Sequence, residues 1–108
     1  MMVYCKLEIF IPETHLAILQ ETLQQLDAGH IGNYDSCLSY SHVISTWRPL
    51  NGSNPYSGKL GKVSHEQELK VEVTCKLSQV EAVIQAVKLI HPYEEPVINA
   101  IPLLHIGL

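Results

Sequence analysis

Positive charge is scarce in this sequence of 108 residues: Lys and Arg number 7 against 11 Asp and Glu, for a formal net charge of −4. No basic run could neutralise a row of phosphates, so nucleic acid is excluded as an expected partner. Cysteine occurs three times, at Cys5, Cys37 and Cys75, without a CxxC or other paired spacing. An odd, unpaired set argues against a disulfide framework or zinc site and for reduced, buried thiols in a cytoplasmic protein. No uncharged apolar run approaches about eighteen residues, so no membrane span is expected. Met1-Met2-Val3-Tyr4-Cys5-Lys6 alternates instead of forming a charged-then-apolar leader, so no secretory signal is expected either. GxSxG, HExxH and Walker patterns are missing, and the cysteines lie on apolar strand rows or an edge, where the lysines that follow Cys5 and Cys75 alternate to the opposite face. The sequence therefore presents no catalytic nucleophile.

What is there is periodic. Val3, Cys5, Leu7, Ile9 and Ile11 alternate with Tyr4, Lys6, Glu8 and Phe10, which predicts a half-buried strand ended by Pro12. Leu16, Leu19, Leu23 and Leu26 then recur at helical spacing, predicting a helix over 13–28 with Gly29 as its left-handed stop. A serine-rich, weakly alternating stretch from Asp35 to Trp47 reads as an edge strand. Residues 48–61 are dense in Gly, Pro and Asn and read as a long hairpin loop, of a length that is uncommon unless it binds or covers something. Leu69, Val71, Val73, Cys75 and Leu77 make the clearest strand. Ser78 and Glu81 have the spacing of a capping box, and Val80, Val83, Ile84, Val87 and Ile90 form the stripe of a second helix, stopped by Pro92. Val97 to Leu103, interrupted by Pro102, predicts a last strand at an edge. An apolar tail, Leu104-His105-Ile106-Gly107-Leu108, follows.

Strand, helix, strand, hairpin, strand, helix, strand is two similar halves in one domain, 1–108. With right-handed crossovers this gives an α+β, ferredoxin-like βαββαβ plait, a four-stranded antiparallel sheet of order 4-1-3-2 with both helices on one face. Two consequences follow. Cys5 and Cys75 should lie side by side on the central strands, buried and unbridged. His30, opening the second strand, and His91, opening the fourth, should stand on diagonally opposed corners roughly 20 Å or more apart. They could share a small ligand only across a subunit boundary.

Three stretches carry a resemblance: Gly29-His30-Ile31-Gly32-Asn33-Tyr34; Trp47-Arg48-Pro49-Leu50-Asn51-Gly52-Ser53-Asn54-Pro55 with Gly58; and His91-Pro92-Tyr93-Glu94-Glu95-Pro96 followed by Pro102-Leu103. Over nearly the whole chain the pattern resembles the accessory domain inserted in the dinuclear-metal-centre proteins called NGG-interacting-factor-three-like, here standing alone. The last stretch is also similar to the CutA divalent-ion-tolerance family. Both resemblances imply a PII-like version of the ferredoxin-like fold, and the second implies a homo-oligomer, a trimer as in CutA and PII proteins or else a dimer. The metal ligands of the larger family lie in flanking domains that this sequence does not contain. Its metal centre, and the GTP cyclohydrolase label sometimes attached to it, do not carry over.

The candidate site residues are weighed with that in view. His91, at a helix C-terminus with Glu94 and Glu95 close by, is either a ligand corner or a cap on the last carbonyls. A divalent metal ion, the one cofactor considered, would be held by His91 and Glu95. Tyr93 is a ligand contact or a packing residue. His30, Asn33 and Tyr34 bind ligand or satisfy their own turn. Arg48 and the loop it opens are a lid over an intersubunit cleft or an oligomer clamp anchored by Trp47. His15, His42 and His65 read as surface residues, and His105 depends on the tail. The leading expectation is a small oligomeric, PII-like binding or regulatory module. Its ligand or metal-ion cleft would lie between the His30 turn of one chain and the His91–Glu95 turn of another. The alternatives are a CutA-like divalent metal (copper) tolerance protein and a structural protein–protein interaction domain.

Overall fold

The computed structural model describes residues 3–108; Met1 and Met2, part of the stretch in which no secretory signal is expected, lie outside the described residues. The elements run β1 (Tyr4–Ile11), α1 (Leu16–Gln25), β2 (Ser39–Trp47), β3 (Ser64–Lys76), α2 (Val80–Ile90) and β4 (Ile98–Leu103). The sheet order is β2-β3-β1-β4 with all pairs antiparallel, the expected plait read from its other edge. Alternation decides which face is covered. Cys5, Leu7, Ile9 and Ile11 of β1 and Leu69, Val71, Val73 and Cys75 of β3 are buried, together with Leu19 and Leu23 of α1 and Val83 and Val87 of α2. Each large aliphatic side chain in that layer contributes about 1.5–3 kcal/mol by leaving water. The opposite face of the central strands carries charge instead. Lys6 lies 3.7 Å from Glu8 and 3.1 Å from Glu72, and Lys70 lies 3.4 Å from Glu8 and 3.8 Å from Glu72.

Cys5 and Cys75 are register partners with Sγ atoms 3.6 Å apart, both free and buried as expected. Cys37 departs from the expectation of a buried thiol, since it is only partly covered. It lies in the loop between α1 and β2, outside the apolar rows of the central strands.

Three boundaries move. The first helix closes at Gln25, earlier than expected, because Asp27 already takes a left-handed φ of 56°. Gly29, at φ 82°, then serves a close approach: its N–H donates to the Thr74 carbonyl at 2.8 Å, and a Cβ there would collide with the carbonyl of Cys37. Second, the capping contact runs from the Lys76 N–H to Gln79 Oε1 at 2.9 Å, not between Ser78 and Glu81, since a 3-10 turn over Leu77–Gln79 precedes α2. Third, β3 is longer than its apolar alternation suggests. It has 13 residues against 8 in β1, so residues 64–68 pair with β2 alone and the β2–β3 hairpin overhangs the end of β1. The molecule measures 46 × 27 × 22 Å as a result. Pro102 sits opposite Cys5 in β4, at an edge as expected. Among the described residues no helix is long and apolar enough to cross a membrane.

Candidate functional site

The site grows from the end of α2. The His91 N–H closes the last turn on the Val87 carbonyl at 3.0 Å, and Pro92 offers no N–H to continue. A residue before proline is driven extended, and His91 accordingly has φ −75° and ψ 134°. That turns its ring inward, where it is 7% exposed. Nε2 lies 2.7 Å from the Phe10 carbonyl, and Nδ1 accepts the Tyr93 N–H at 3.1 Å. A carbonyl only accepts, so Nε2 carries the proton and the ring is a neutral imidazole with both nitrogens engaged. Burial pushes its pKa below the usual histidine value, outweighing the Phe10 carbonyl and the Glu68 carboxylate, which pull the other way.

Beyond His91 the chain lays Tyr93 into the overhang of the β2–β3 hairpin. Its ring centroid lies 4.9 Å from that of His91 and 5.7 Å from those of Trp47 and Tyr56. Burial, and next the adjacent Glu68, push the Tyr93 hydroxyl far up, so it stays a phenol. The packing reading of Tyr93 is the one this geometry supports. Loop 48–63 is fastened to the same place. Trp47 Nε1 donates to the Ser57 carbonyl at 3.2 Å, Ser57 Oγ to Glu66 Oε1 at 3.0 Å, and the Asn54 N–H to Glu94 Oε2 at 2.9 Å. Gly58, at φ 100°, lets the loop pass against Trp47 and Ser64. Together they border a half-open cavity of about 750 Å³ whose wall includes Phe10, Trp47, Arg48, Glu68, Tyr93 and Glu95. Glu68 is 4% exposed and its Oε2 has no hydrogen-bond partner among the described residues.

The structure thus brings Arg48, Tyr93, Glu94 and Glu95 to one cavity, with His91 behind Tyr93. It does not bring His30, Asn33 and Tyr34 there. The Gly29–Thr74 bond ties their turn to the strand position opposite Lys6, whereas His91 bonds Phe10, about 14 Å further along β1. Nor does His30 open a strand, since β2 begins at Ser39. Its Nδ1 meets Asp27 Oδ1 at 2.9 Å and its Nε2 the Gly32 carbonyl at 2.9 Å. Two acceptors hold both protons on the ring, and Asp27 above all raises its pKa. Ile31 and Tyr34 exchange backbone hydrogen bonds at 2.8 and 2.9 Å, leaving the Asn33 and Tyr34 side chains exposed.

A resident metal does not fit at His91 and Glu95. Neither imidazole nitrogen has a lone pair to spare, and no group of three or more potential metal-ligating side chains occurs among the described residues. Sequence reasoning missed Glu68 and Tyr56. Glu68 reads as one more polar member of the alternation in β3, and what buries it is a turn 25 positions away that no local pattern announces.

The comparisons agree with this architecture. The family model described as CutA1 divalent ion tolerance protein matches residues 56–107, a span that holds Tyr56, Glu68 and the His91–Glu95 turn. A GTP cyclohydrolase 1 type 2 homolog of Halalkalibacterium halodurans is 40% identical over 102 residues, 94% of this chain and 27% of that protein. Its Bacillus subtilis counterpart is 33% identical over 97 residues, 90% of this chain and 26% of that protein. The chain therefore spans about a quarter of the length of the curated relatives it matches. Among solved structures, a Bacillus cereus protein related to NIF3 superimposes with a TM-score of 0.84 at 31% identity, covering 96% of this chain and 26% of that one. The periplasmic divalent cation tolerance protein CutA of Archaeoglobus fulgidus gives 0.72 at 20% identity, covering 97% and 87%, a likeness of fold. Over nearly its whole length the chain thus resembles the CutA1-like segment of the NIF3-related GTP cyclohydrolase 1 type 2 homologs.

Proposed function

We propose that the chain is a small self-associating binding module whose ligand site is the cavity between loop 48–57 and the Tyr93–Val97 turn. The observation that carries this reading is the cavity itself, a half-open space of about 750 Å³ walled by a loop hydrogen-bonded to the His91–Glu95 turn. Its size falls within the range of about 300–1,000 Å³ typical of small-molecule sites. Self-association is supported by the overhanging hairpin. Tyr40 and Ile44 lie on the face of β2 that corresponds to the helix side, yet Ile44 is 69% exposed, and Leu104 in the tail is 91% exposed. A homo-oligomer, trimer or dimer, would cover them, and a neighbouring copy could bring its His30 turn to the cavity mouth. Light scattering on a sizing column across a hundredfold dilution tests the assembly. A multiple of the chain mass is expected, and a monomer throughout overturns it.

The CutA1 family match supports a second reading, divalent-ion binding by His91 and Glu95. An ion could take His91 only by displacing the Phe10 or the Tyr93 hydrogen bond. Calorimetric titration with Cu²⁺ against the wild type and His91→Ala decides it. Heat lost in the variant favours the ion, and equal heats end that reading.

A further inference from the structure

We propose that this cavity takes a protonated organic amine, with its ammonium paired to the Glu68 carboxylate in the wall and the apolar body lying on the rings of Trp47, Tyr56 and Tyr93. The inference rests on the ligand site proposed above and names the chemistry it selects.

The argument starts from Glu68. Glu68 is 4% exposed; the Tyr93 hydroxyl stands next to its carboxylate, but a phenol brings no positive charge and Oε2 has no partner among the described residues, an arrangement that is costly unless a cation comes near. The basic residues nearby are used elsewhere or stand apart. Lys70, on the same face of β3, pairs with Glu8 and Glu72 instead. Arg48, the basic side chain in the cavity wall, makes no salt bridge among the described residues. Glu94 and Glu95 add further negative charge to the same wall.

Other ligand classes fit less well. An anion would meet three carboxylates against the single guanidinium of Arg48, a wall that is negative on balance. Water or a neutral donor could satisfy the hydrogen bond but not the charge. A bare divalent ion needs several protein ligands, and no group of three is available among the described residues. An ammonium supplies both charge and N–H. The aromatic wall adds to this, because Tyr93 sits 5.7 Å from both Trp47 and Tyr56, and π-faces attract cations. At about 750 Å³ the space exceeds a lone ammonium ion, so the ligand carries a carbon body of its own.

Trp47 is the chain's single tryptophan and stands in the wall, so its fluorescence reports occupancy directly. The test titrates the 108-residue chain at neutral pH and physiological ionic strength with three probes sharing one body: phenethylammonium, 2-phenylethanol and 3-phenylpropionate. The ammonium is expected to bind about tenfold or more tighter than the other two, and Glu68→Gln is expected to abolish that preference. The wild-type order of affinities stands as a test even if the variant does not fold. Equal affinities, or a preference kept in Glu68→Gln, sink the amine assignment and leave the ligand site standing. No response to any probe removes the cavity as a ligand site, and the assignment with it.

Discussion

Replacing His91 by alanine severs two hydrogen bonds at once, and its cost can be worked from the structure. The lost contacts are Nε2–H to the Phe10 carbonyl at 2.7 Å and the Tyr93 N–H to Nδ1 at 3.1 Å. Each is worth about 0.5–1.5 kcal/mol net, and the stranded backbone partners cost more where water cannot reach them. Adding the ring contact with Tyr93 at 4.9 Å gives about 2–4 kcal/mol of destabilisation at pH above the histidine range. The pH dependence gives a second handle. The folded pKa of His91 is depressed by burial, so the unfolded chain binds the proton more readily. The stability this group contributes is full above its unfolded pKa of about 6.5 and is lost as pH falls through the window below it. The slope cannot exceed about 1.4 kcal/mol per pH unit for one group. Phe10 and Glu68 favour the protonated ring and His15 opposes it, and the net direction is downward. Urea unfolding of wild type and His91→Ala, at one protein concentration and on either side of the window, should show the gap narrowing on acidification. A gap that stays constant or widens would refute a buried neutral imidazole, and a cost under about 1 kcal/mol would refute the two bonds.

Three further outcomes are expected. His30→Ala should show the opposite sign: the Asp27 carboxylate raises the folded pKa of His30, so its contribution is present below the unfolded value and lost as pH rises through the folded one. A wild-type advantage that grows with pH in the same unfolding assay would contradict the turn geometry. Gly29→Ala should cost about 2–4 kcal/mol, because φ is 82° and a Cβ meets the Cys37 carbonyl; a loss below about 1 kcal/mol would mean that the loop yields freely. In native protein Cys37 should react with a thiol reagent well before Cys5 and Cys75, since burial pushes the Cys75 thiol up to about 12 and starves it of thiolate. Mass spectrometry showing all three labelled at the rate of free cysteine would overturn the buried pair.

The plait itself was legible because its signals are local. Two strands of clean alternation and two leucine or valine stripes define the layers, and strand order follows from crossover handedness, which is why Cys5 and Cys75 could be paired from opposite ends of the chain. Half of the site was legible as well. The His91–Glu95 turn and the Trp47–Arg48 loop stood out by composition, and they do meet. What could not be read was depth. Glu68 has the sequence environment of a solvated residue and is buried only because β1 stops at Ile11 while β3 begins at Ser64, leaving a notch that Tyr93 fills. His30 erred the other way, since a polar residue after a helix stop can bind a ligand or its own turn, and the partner that engages it, Asp27, is placed by a left-handed φ that no glycine advertises.

Pro102 gives the sheet two unlike rims. In β4 it strips one donor from the outward row of backbone groups, whereas β2 carries no proline from Ser39 to Trp47 and keeps its row intact. A building block with one receptive rim and one blunt rim can lengthen its sheet by a single docking event and then stops. Two receptive rims would propagate without end toward fibres, so one proline on the β4 side helps keep any growth through strand pairing finite.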